Sequence, residues 1–249
     1  MNLENLKKEY DKKGFIVLRG IIAKKNLSKI NKSLNSFSEK YQSKKKKNLN
    51  ITNNKINSIH NMEKWSWTQK LRKNEIIKSL VKLLLKNKAR NFGSELFAKP
   101  ARCGLKSPAH QDNYYWALSP LKNNRGLTIW ISLSVSEKKN GGIFYFAGSH
   151  KIGLLKHKAS FAPGSSQIVG DLKRLKKFKK FYPKLQPGDC LIHNAMVVHG
   201  SEINNSKYPR KGVTLRYIPK NSKFNKLQKI KYEKSLKKQI KTREINARI

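Results

Sequence analysis

Apolar residues recur at spacings of three and four in the first third of the chain and give way to short alternating runs beyond it. Leu3, Leu6 and Tyr10 predict an amphipathic helix over 2–13, which Gly14 ends, and Phe15-Ile16-Val17-Leu18 reads as a strand. Leu27, Ile30, Leu34 and Phe37 share one face of a helix over 23–41, and core packing explains them without any cofactor. A further helix over 74–87 carries Ile76, Ile77, Leu80, Val81, Leu83 and Leu84. After it, strands are expected near 95–98, 108–112, 127–135, 142–146, 189–193, 196–199 and 213–218, separated by Gly, Pro, Asn and Ser clusters. Helices first and strands later imply helices packed outside a β-barrel or sandwich.

Three polar stretches interrupt this order. Residues 42–61 hold Lys44-Lys45-Lys46-Lys47 and an Asn-rich run, and are expected to be a mobile loop. The connection 151–184 is long for a compact barrel and is a candidate for substrate selectivity, as is 42–61. Residues 221–249 are basic and polar, a terminal helix or frayed tail with no visible chemistry. The expected organisation is one domain over 1–219, helical over 1–90 and barrel over 91–219, followed by a basic helix or tail over 220–249.

Composition sharpens this reading in two places. The chain of 249 residues has 56 Lys plus Arg against 14 Asp plus Glu, a formal charge of +42. That balance raises nucleic acid as a partner, but the lysines are spread rather than gathered with aromatics, so a solvated lysine surface is the preferred explanation. Such a surface could still attract an anionic small-molecule substrate. Cys103 and Cys190 lack metal or redox spacing, and Cys190 in the run Cys190-Leu191-Ile192 reads as a small buried hydrophobe. With no membrane-length apolar run and no signal-like start, a cytoplasmic protein of unspecified oligomeric state is expected.

The chemistry is concentrated in Pro108-Ala109-His110-Gln111-Asp112-Asn113-Tyr114-Tyr115-Trp116. On an extended segment His110 and Asp112 would point to one face and Gln111 away from it. His199, in Ala195-Met196-Val197-Val198-His199-Gly200-Ser201, is the candidate third ligand. Two imidazoles and a carboxylate are the facial set that holds Fe(II) and leaves positions open for O2 and a co-substrate. Arg210 follows His199 by eleven positions, and its planar guanidinium suits the distal carboxylate of 2-oxoglutarate.

At these residues the chain resembles the phytanoyl-CoA dioxygenase family of Fe(II)/2-oxoglutarate oxygenases, which includes ectoine hydroxylase. The resemblance covers roughly 2–219: YDKKGFIVLRG from Tyr10, LFAKP from Leu96, HQDNYYW, LTIWISL from Leu127, NGGIFYFAGSH from Asn140, PGD from Pro187, and HGS with Pro209-Arg210. It implies His110, Asp112 and His199 as catalytic iron ligands, Arg210 and Ser201 as 2-oxoglutarate contacts, and Trp130 in the same pocket. It implies a double-stranded β-helix, a jelly-roll barrel with helices packed against it. The implied activity is a dioxygenase that hydroxylates, or oxidatively demethylates, a small molecule with succinate and CO2 as co-products. Related halogenases replace the ligand carboxylate by a small residue, so Asp112 argues against halogenation. The charged loop between Trp116 and Gly126 and the pair Ala147-Gly148 depart from the family pattern, and neither touches an implied ligand.

Other positions carry plainer alternatives. Tyr114 and Trp116 are candidate substrate contacts but could equally be core, and Tyr115 beside them is open to the same two readings. Lys99 could meet an acid or snorkel at the barrel rim. His60 and His150 read as structural, His157 as solvated, and His193 lies in a strand six residues before His199. The reading from a different class is a basic nucleic-acid-binding protein that uses the barrel as a platform.

Overall fold

The computed structural model of the chain describes residues 2–41, 48–52, 54–86, 88–120, 126–162 and 165–246. Its helices are α1 (Leu3–Lys13), α2 (Lys24–Tyr41), α3 (Ser66–Arg72), α4 (Glu75–Leu85), α5 (Asp112–Trp116) and α6 (Lys226–Asn246). The strands are β1 (Phe15–Leu18), β2 (Leu49–Thr52), β3 (Lys55–Ile59), β4 (Ala89–Lys99), β5 (Ser107–His110), β6 (Leu118–Ser119), β7 (Leu127–Ser132), β8 (Ile143–Phe146), β9 (His157–Ala162), β10 (Ser165–Val169), β11 (Lys180–Phe181), β12 (Cys190–Asn194), β13 (His199–Ser201), β14 (Arg210–Pro219) and β15 (Lys223–Phe224).

Two antiparallel sheets face each other across the site. The larger runs β1-β12-β7-β14-β4-β3-β2 and the smaller β11-β8-β13-β5. Alternation along the larger sheet separates its two faces. Ile129 and Ile131, Cys190 and Ile192, and Val213 and Leu215 pack outward with Leu27, Ile30 and Leu34 of α2 and Ile77, Leu80, Val81 and Leu84 of α4. Their neighbours Trp130 and Leu191 turn inward, where they cluster with Phe15, Ile143, Tyr145, Leu185 and Val197 between the sheets. Period two in the strands and period three to four in the helices thus bury one continuous layer and leave the barrel interior for mixed chemistry.

Local signals set the element ends. Asn2 and Asn74 cap α1 and α4 by accepting the backbone N–H of Asn5 and Ile77. Gly14 closes α1 at φ 83°, and a side chain there would collide with His150. At the Pro187-Gly188-Asp189 turn, the Asp189 carboxylate accepts the N–H of Gly20 and Gln186 and pairs with Arg19 at 2.7 Å, tying β1 to β12.

One expectation changes, and two open ones take definite form. Residues 49–52 and 55–59 are not loop: β2 pairs with β3, which pairs through Ser58↔Phe97 and Ile59↔Leu96 onto the edge of the large sheet, while 42–47 and 53 lie outside the described residues. The connection 151–184 contains the β9–β10 hairpin and β11, which extends the small sheet. The C-terminal segment is a helix against the barrel, with Gln228 donating to the carbonyls of Asn113 and Tyr114 and Gln167 donating to Ser235. Its amphipathic spacing is irregular because hydrogen bonds and aromatic edges, rather than an apolar stripe, attach it. Among the described residues no helix is long and apolar enough to cross a membrane.

Asp189→Ala leaves two backbone donors at the β1–β12 junction without their acceptor, and is expected to cost about 1–3 kcal/mol in thermal denaturation with the barrel fold retained.

Candidate active site

β5 and β13 are adjacent strands, and their register places His110 directly opposite His199, with ring centroids 4.4 Å apart. β5 ends at His110, so the expected strand to Asp112 is shortened: Asp112 is the first residue of α5. The two still converge because the chain turns at Gln111, which faces away from the site and is fully buried on polar contacts with Gly153, Leu155 and Met196. His110 Nε2 and His199 Nε2 lie 3.8 and 3.6 Å from Asp112 Oδ1. These three residues offer donor atoms that all fall within 4.8 Å of one another, a set able to hold a metal ion.

Hydrogen bonds behind the three residues decide which atoms they present. His110 Nδ1 lies 2.7 Å from the Pro108 carbonyl and His199 Nδ1 lies 3.1 Å from the Val197 carbonyl. A carbonyl only accepts, so both rings carry hydrogen on Nδ1 and offer the Nε2 lone pair. On Asp112, Oδ2 accepts from Thr128 Oγ1 at 2.7 Å and faces His193 Nε2 at 3.2 Å, which leaves Oδ1 to the two imidazoles. His193 Nε2 therefore donates to Asp112, and the Tyr145 hydroxyl lies 2.9 Å from its Nδ1. Burial lowers the pKa of His110 and His199, so both are neutral and ready to ligate at pH 7. Burial would raise Asp112, but the histidines around it keep its carboxyl well below the usual range, directly so through the hydrogen bond from His193.

A second group lies along β14 and its neighbours. Arg210, Gly212, Thr214 and Arg216 face inward, paired across β4 with Lys99, Phe97, Glu95 and Gly93. Arg210 is buried, donates from Nε and Nη2 to the Gly141 carbonyl at 3.2 and 3.1 Å, and sits 5.5 Å from the Trp130 ring. Among the described residues it has no carboxylate partner, although burial lowers it only to about 10 and it stays charged. Lys99 opposite is also buried; burial first and Arg210 second pull it down to about 6, and its Nζ donates to the Leu105 carbonyl. The buried Arg210 fork with the Lys99 amine beside it forms a cradle suited to a carboxylate, whose arrival favours the charged form of Lys99. Ser201, two residues beyond His199 on β13, is buried as well, and Gly212 makes room for Trp130, whose ring a Cβ would overlap.

The aromatic residues after Asp112 divide. Tyr115 meets His110 edge-on at 5.5 Å, whereas Tyr114 stacks on His157 at 4.2 Å and Trp116 is buried with Leu118, Ala195 and Ile218. His157 is not solvated: its Nε2 accepts the Gln111 N–H at 3.1 Å. His60 lies 2.6 Å from Glu95, and His150 reaches the Asp11 carbonyl, a structural contact. Thr128, His193 and Tyr145, which orient Asp112, were not singled out from the sequence as functional. The available signal was period two: His193 and Thr128 share the inward face with Leu191 and Trp130.

Comparison with known proteins agrees with this architecture. The family model for phytanoyl-CoA dioxygenase matches residues 10–212. Phytanoyl-CoA dioxygenase domain-containing protein 1 of Mus musculus is 31% identical over 127 residues, 49% of this chain and 42% of its own length. The peroxisomal phytanoyl-CoA dioxygenase of Bos taurus is 25% identical over 134 residues, 52% of this chain and 39% of its own length. The aligned stretches therefore span less than half of those relatives. The crystal structure of EctD from S. alaskensis with 2-oxoglutarate and 5-hydroxyectoine matches with a TM-score of 0.75 at 20% identity, covering 89% of this chain and 77% of that one. The epimerase SnoN in complex with Fe3+, alpha ketoglutarate and nogalamycin RO matches with a TM-score of 0.73 at 16% identity, covering 90% and 86%. Nothing in these matches points to nucleic acid. The fold is the jelly-roll barrel anticipated from the sequence, and with the family model matched along most of its length this chain belongs to the phytanoyl-CoA dioxygenase family.

Proposed function

We propose that this chain is an Fe(II)- and 2-oxoglutarate-dependent dioxygenase that hydroxylates, or oxidatively demethylates, a small molecule. The observation that carries the reading is one barrel interior holding both a His110–Asp112–His199 donor set and the buried guanidinium of Arg210, which has no carboxylate partner among the described residues and has the Lys99 amine beside it. His110 Nε2, His199 Nε2 and Asp112 Oδ1 would hold the iron, and Arg210 with Lys99 and Ser201 would hold the distal carboxylate of 2-oxoglutarate beside Trp130. Bound iron with 2-oxoglutarate supplies the oxidation: O2 and a C–H bond become a C–OH bond, while 2-oxoglutarate leaves as succinate and CO2.

The side chains prepare that chemistry. His110 and His199 enter as neutral imidazoles and Asp112 as an anion, so the set brings one negative charge to a dication and needs no proton released at pH 7. Arg210 is locked by the Gly141 carbonyl against Trp130, so the fork is oriented before its partner arrives. Tyr145 and His193 fix the carboxylate from behind, and the surrounding apolar cluster excludes water. The oxygenase unit is taken as 1–219. The two cysteines are free, which suits a reducing compartment such as the cytoplasm, where ferrous iron persists.

Anaerobic titration with Fe(II) and 2-oxoglutarate tests the reading through the visible absorption of the chelate. The parent is expected to show the band, His110→Ala to lose it, and Arg210→Ala to need roughly 100-fold more 2-oxoglutarate, the scale set by removing one partner of a buried charged contact. A folded, iron-loaded parent without the band would contradict the assignment.

Lys99 supplies a pH signature. Its amine binds a proton near 6 in the empty pocket, and a carboxylate beside it raises that value. Binding then takes up a proton, so 2-oxoglutarate affinity is expected to fall by up to about tenfold per unit as pH rises above 6. Lys99→Met should bind more weakly and lose this slope; a parent with flat affinity between pH 6 and 8 would exclude the role.

A further inference from the structure

The half of the barrel interior beyond the iron donors carries a second built cluster. Glu95 is 7% exposed, and both of its ion-pair contacts fall on one oxygen, Oε1: His60 Nδ1 at 2.6 Å and Arg216 Nη2 at 2.7 Å. A carboxylate has accepting capacity on both oxygens, so Glu95 retains room for a further donor. Burial opposes its ionisation, and Arg216 and His60 more than offset that, so it is held as the anion. The Arg216 guanidinium lies over Phe92 and Trp116 at 5.8 and 5.9 Å, in space left by Gly93, where a Cβ would come within 2.6 Å of Nη2. Arg216 Nε is buried and has no hydrogen-bond partner among the described residues. An unsatisfied buried donor beside a carboxylate with spare capacity describes a polar site that is incomplete by itself.

Its position ties it to the reacting centre. Arg216 is the register neighbour of Thr128, which donates to Asp112, and Trp116 beneath it belongs to the helix that Asp112 begins. Arg210 lies six residues away on the same strand, about 20 Å at strand rise, so the two arginines serve different ends of the barrel. The roof joins Tyr115 to a residue outside the family-matched 10–212: Tyr232 of α6 packs edge-on against Tyr115 at 5.2 Å, and Tyr115 in turn meets His110.

We propose that Glu95, Arg216 and His60, roofed by Tyr115 and Tyr232, form the substrate-recognition pocket, and that it takes a small polar molecule presenting a hydroxyl or amine to Glu95 rather than a long acyl chain. The assignment rests on the oxygenase reading above. An alkyl chain against this wall would strip water from a carboxylate and a guanidinium and return no hydrogen bond, whereas a hydroxyl or amine replaces the lost contact. Sites built to hydrogen-bond a substrate reject analogues that cannot reciprocate.

The test uses the full chain loaded with Fe(II) and 2-oxoglutarate and two probes: a mixture of the twenty L-amino acids, common hexoses and polyamines, and palmitoyl-CoA. Succinate release and the chelate absorption are followed in the parent, Glu95→Gln and Arg216→Lys. The mixture should stimulate succinate release in the parent and palmitoyl-CoA should not; Glu95→Gln should keep the chelate band yet lose about 100-fold of the stimulated rate, the scale of one charged hydrogen bond. Arg216→Lys, which keeps the charge but not the fork, should retain the band and lose most of the stimulation. Stimulation by palmitoyl-CoA, stimulation by neither probe, or stimulation that survives both variants would overturn the pocket. A parent without the chelate band would instead overturn the oxygenase reading beneath it.

Discussion

The Asp112 carboxylate is shared between two tasks, and the site depends on keeping them on separate oxygens. Thr128 and His193, from the central strands β7 and β12, hold Oδ2, while Oδ1 faces the imidazoles of His110 and His199 from the small sheet. The contact therefore joins the two sheets at the point where the metal donors meet. It also fixes the start of α5, whose aromatic residues and partner helix α6 close the barrel beyond it. A carboxylate at a helix N-terminus gains from the backbone dipole, but in a helix of five residues that effect is small beside two direct hydrogen bonds.

Electrostatics divide the interior. At one end Arg210 keeps a buried positive charge with no carboxylate partner among the described residues, and Lys99 beside it regains its own charge when an anion arrives, a condition that invites a dicarboxylate. At the other, Arg216 is already neutralised by Glu95, so that half offers hydrogen bonding without net charge. The surface charge of +42 is a separate matter. It acts on approach and is screened within about 8 Å at physiological salt, whereas the interior pairs act on whatever is bound. An anionic substrate was anticipated from the surface alone, and the interior gives that expectation its cation only on the side assigned to 2-oxoglutarate.

Much of the fold was legible because α2, α4 and the inner strands of the large sheet each carry an apolar face. The α4 face, the alternation around Trp130, and the caps at Asn74 and Gly14 each mark an element by a local rule that tertiary packing then obeys. Residues 49–52 and 55–59 were misread because edge strands with Asn and Lys lack alternation; their pairing is a property of β4, not of their own sequence. The α6 segment was undervalued for a similar reason, since Gln228, Ser235 and Tyr232 attach it through polar and aromatic contacts that hydrophobic periodicity does not register. His110, Asp112, His199 and Arg210 stood out by residue type and spacing. Thr128 and His193 did not, because a threonine and a histidine in buried strands look like satisfied core until the register brings both against one carboxylate.

The arrangement of Asp112 is tested most directly by calorimetric titration of Fe(II) under anaerobic conditions into the parent and Thr128→Val, which keeps shape and removes the hydroxyl. Released from Thr128, the carboxylate can turn Oδ2 toward the iron site and lose its fixed orientation, and Fe(II) affinity is expected to weaken about 10- to 100-fold with the fold unchanged. Equal affinity in parent and variant would contradict the claim that the hydrogen bonds on Oδ2 organise the metal centre.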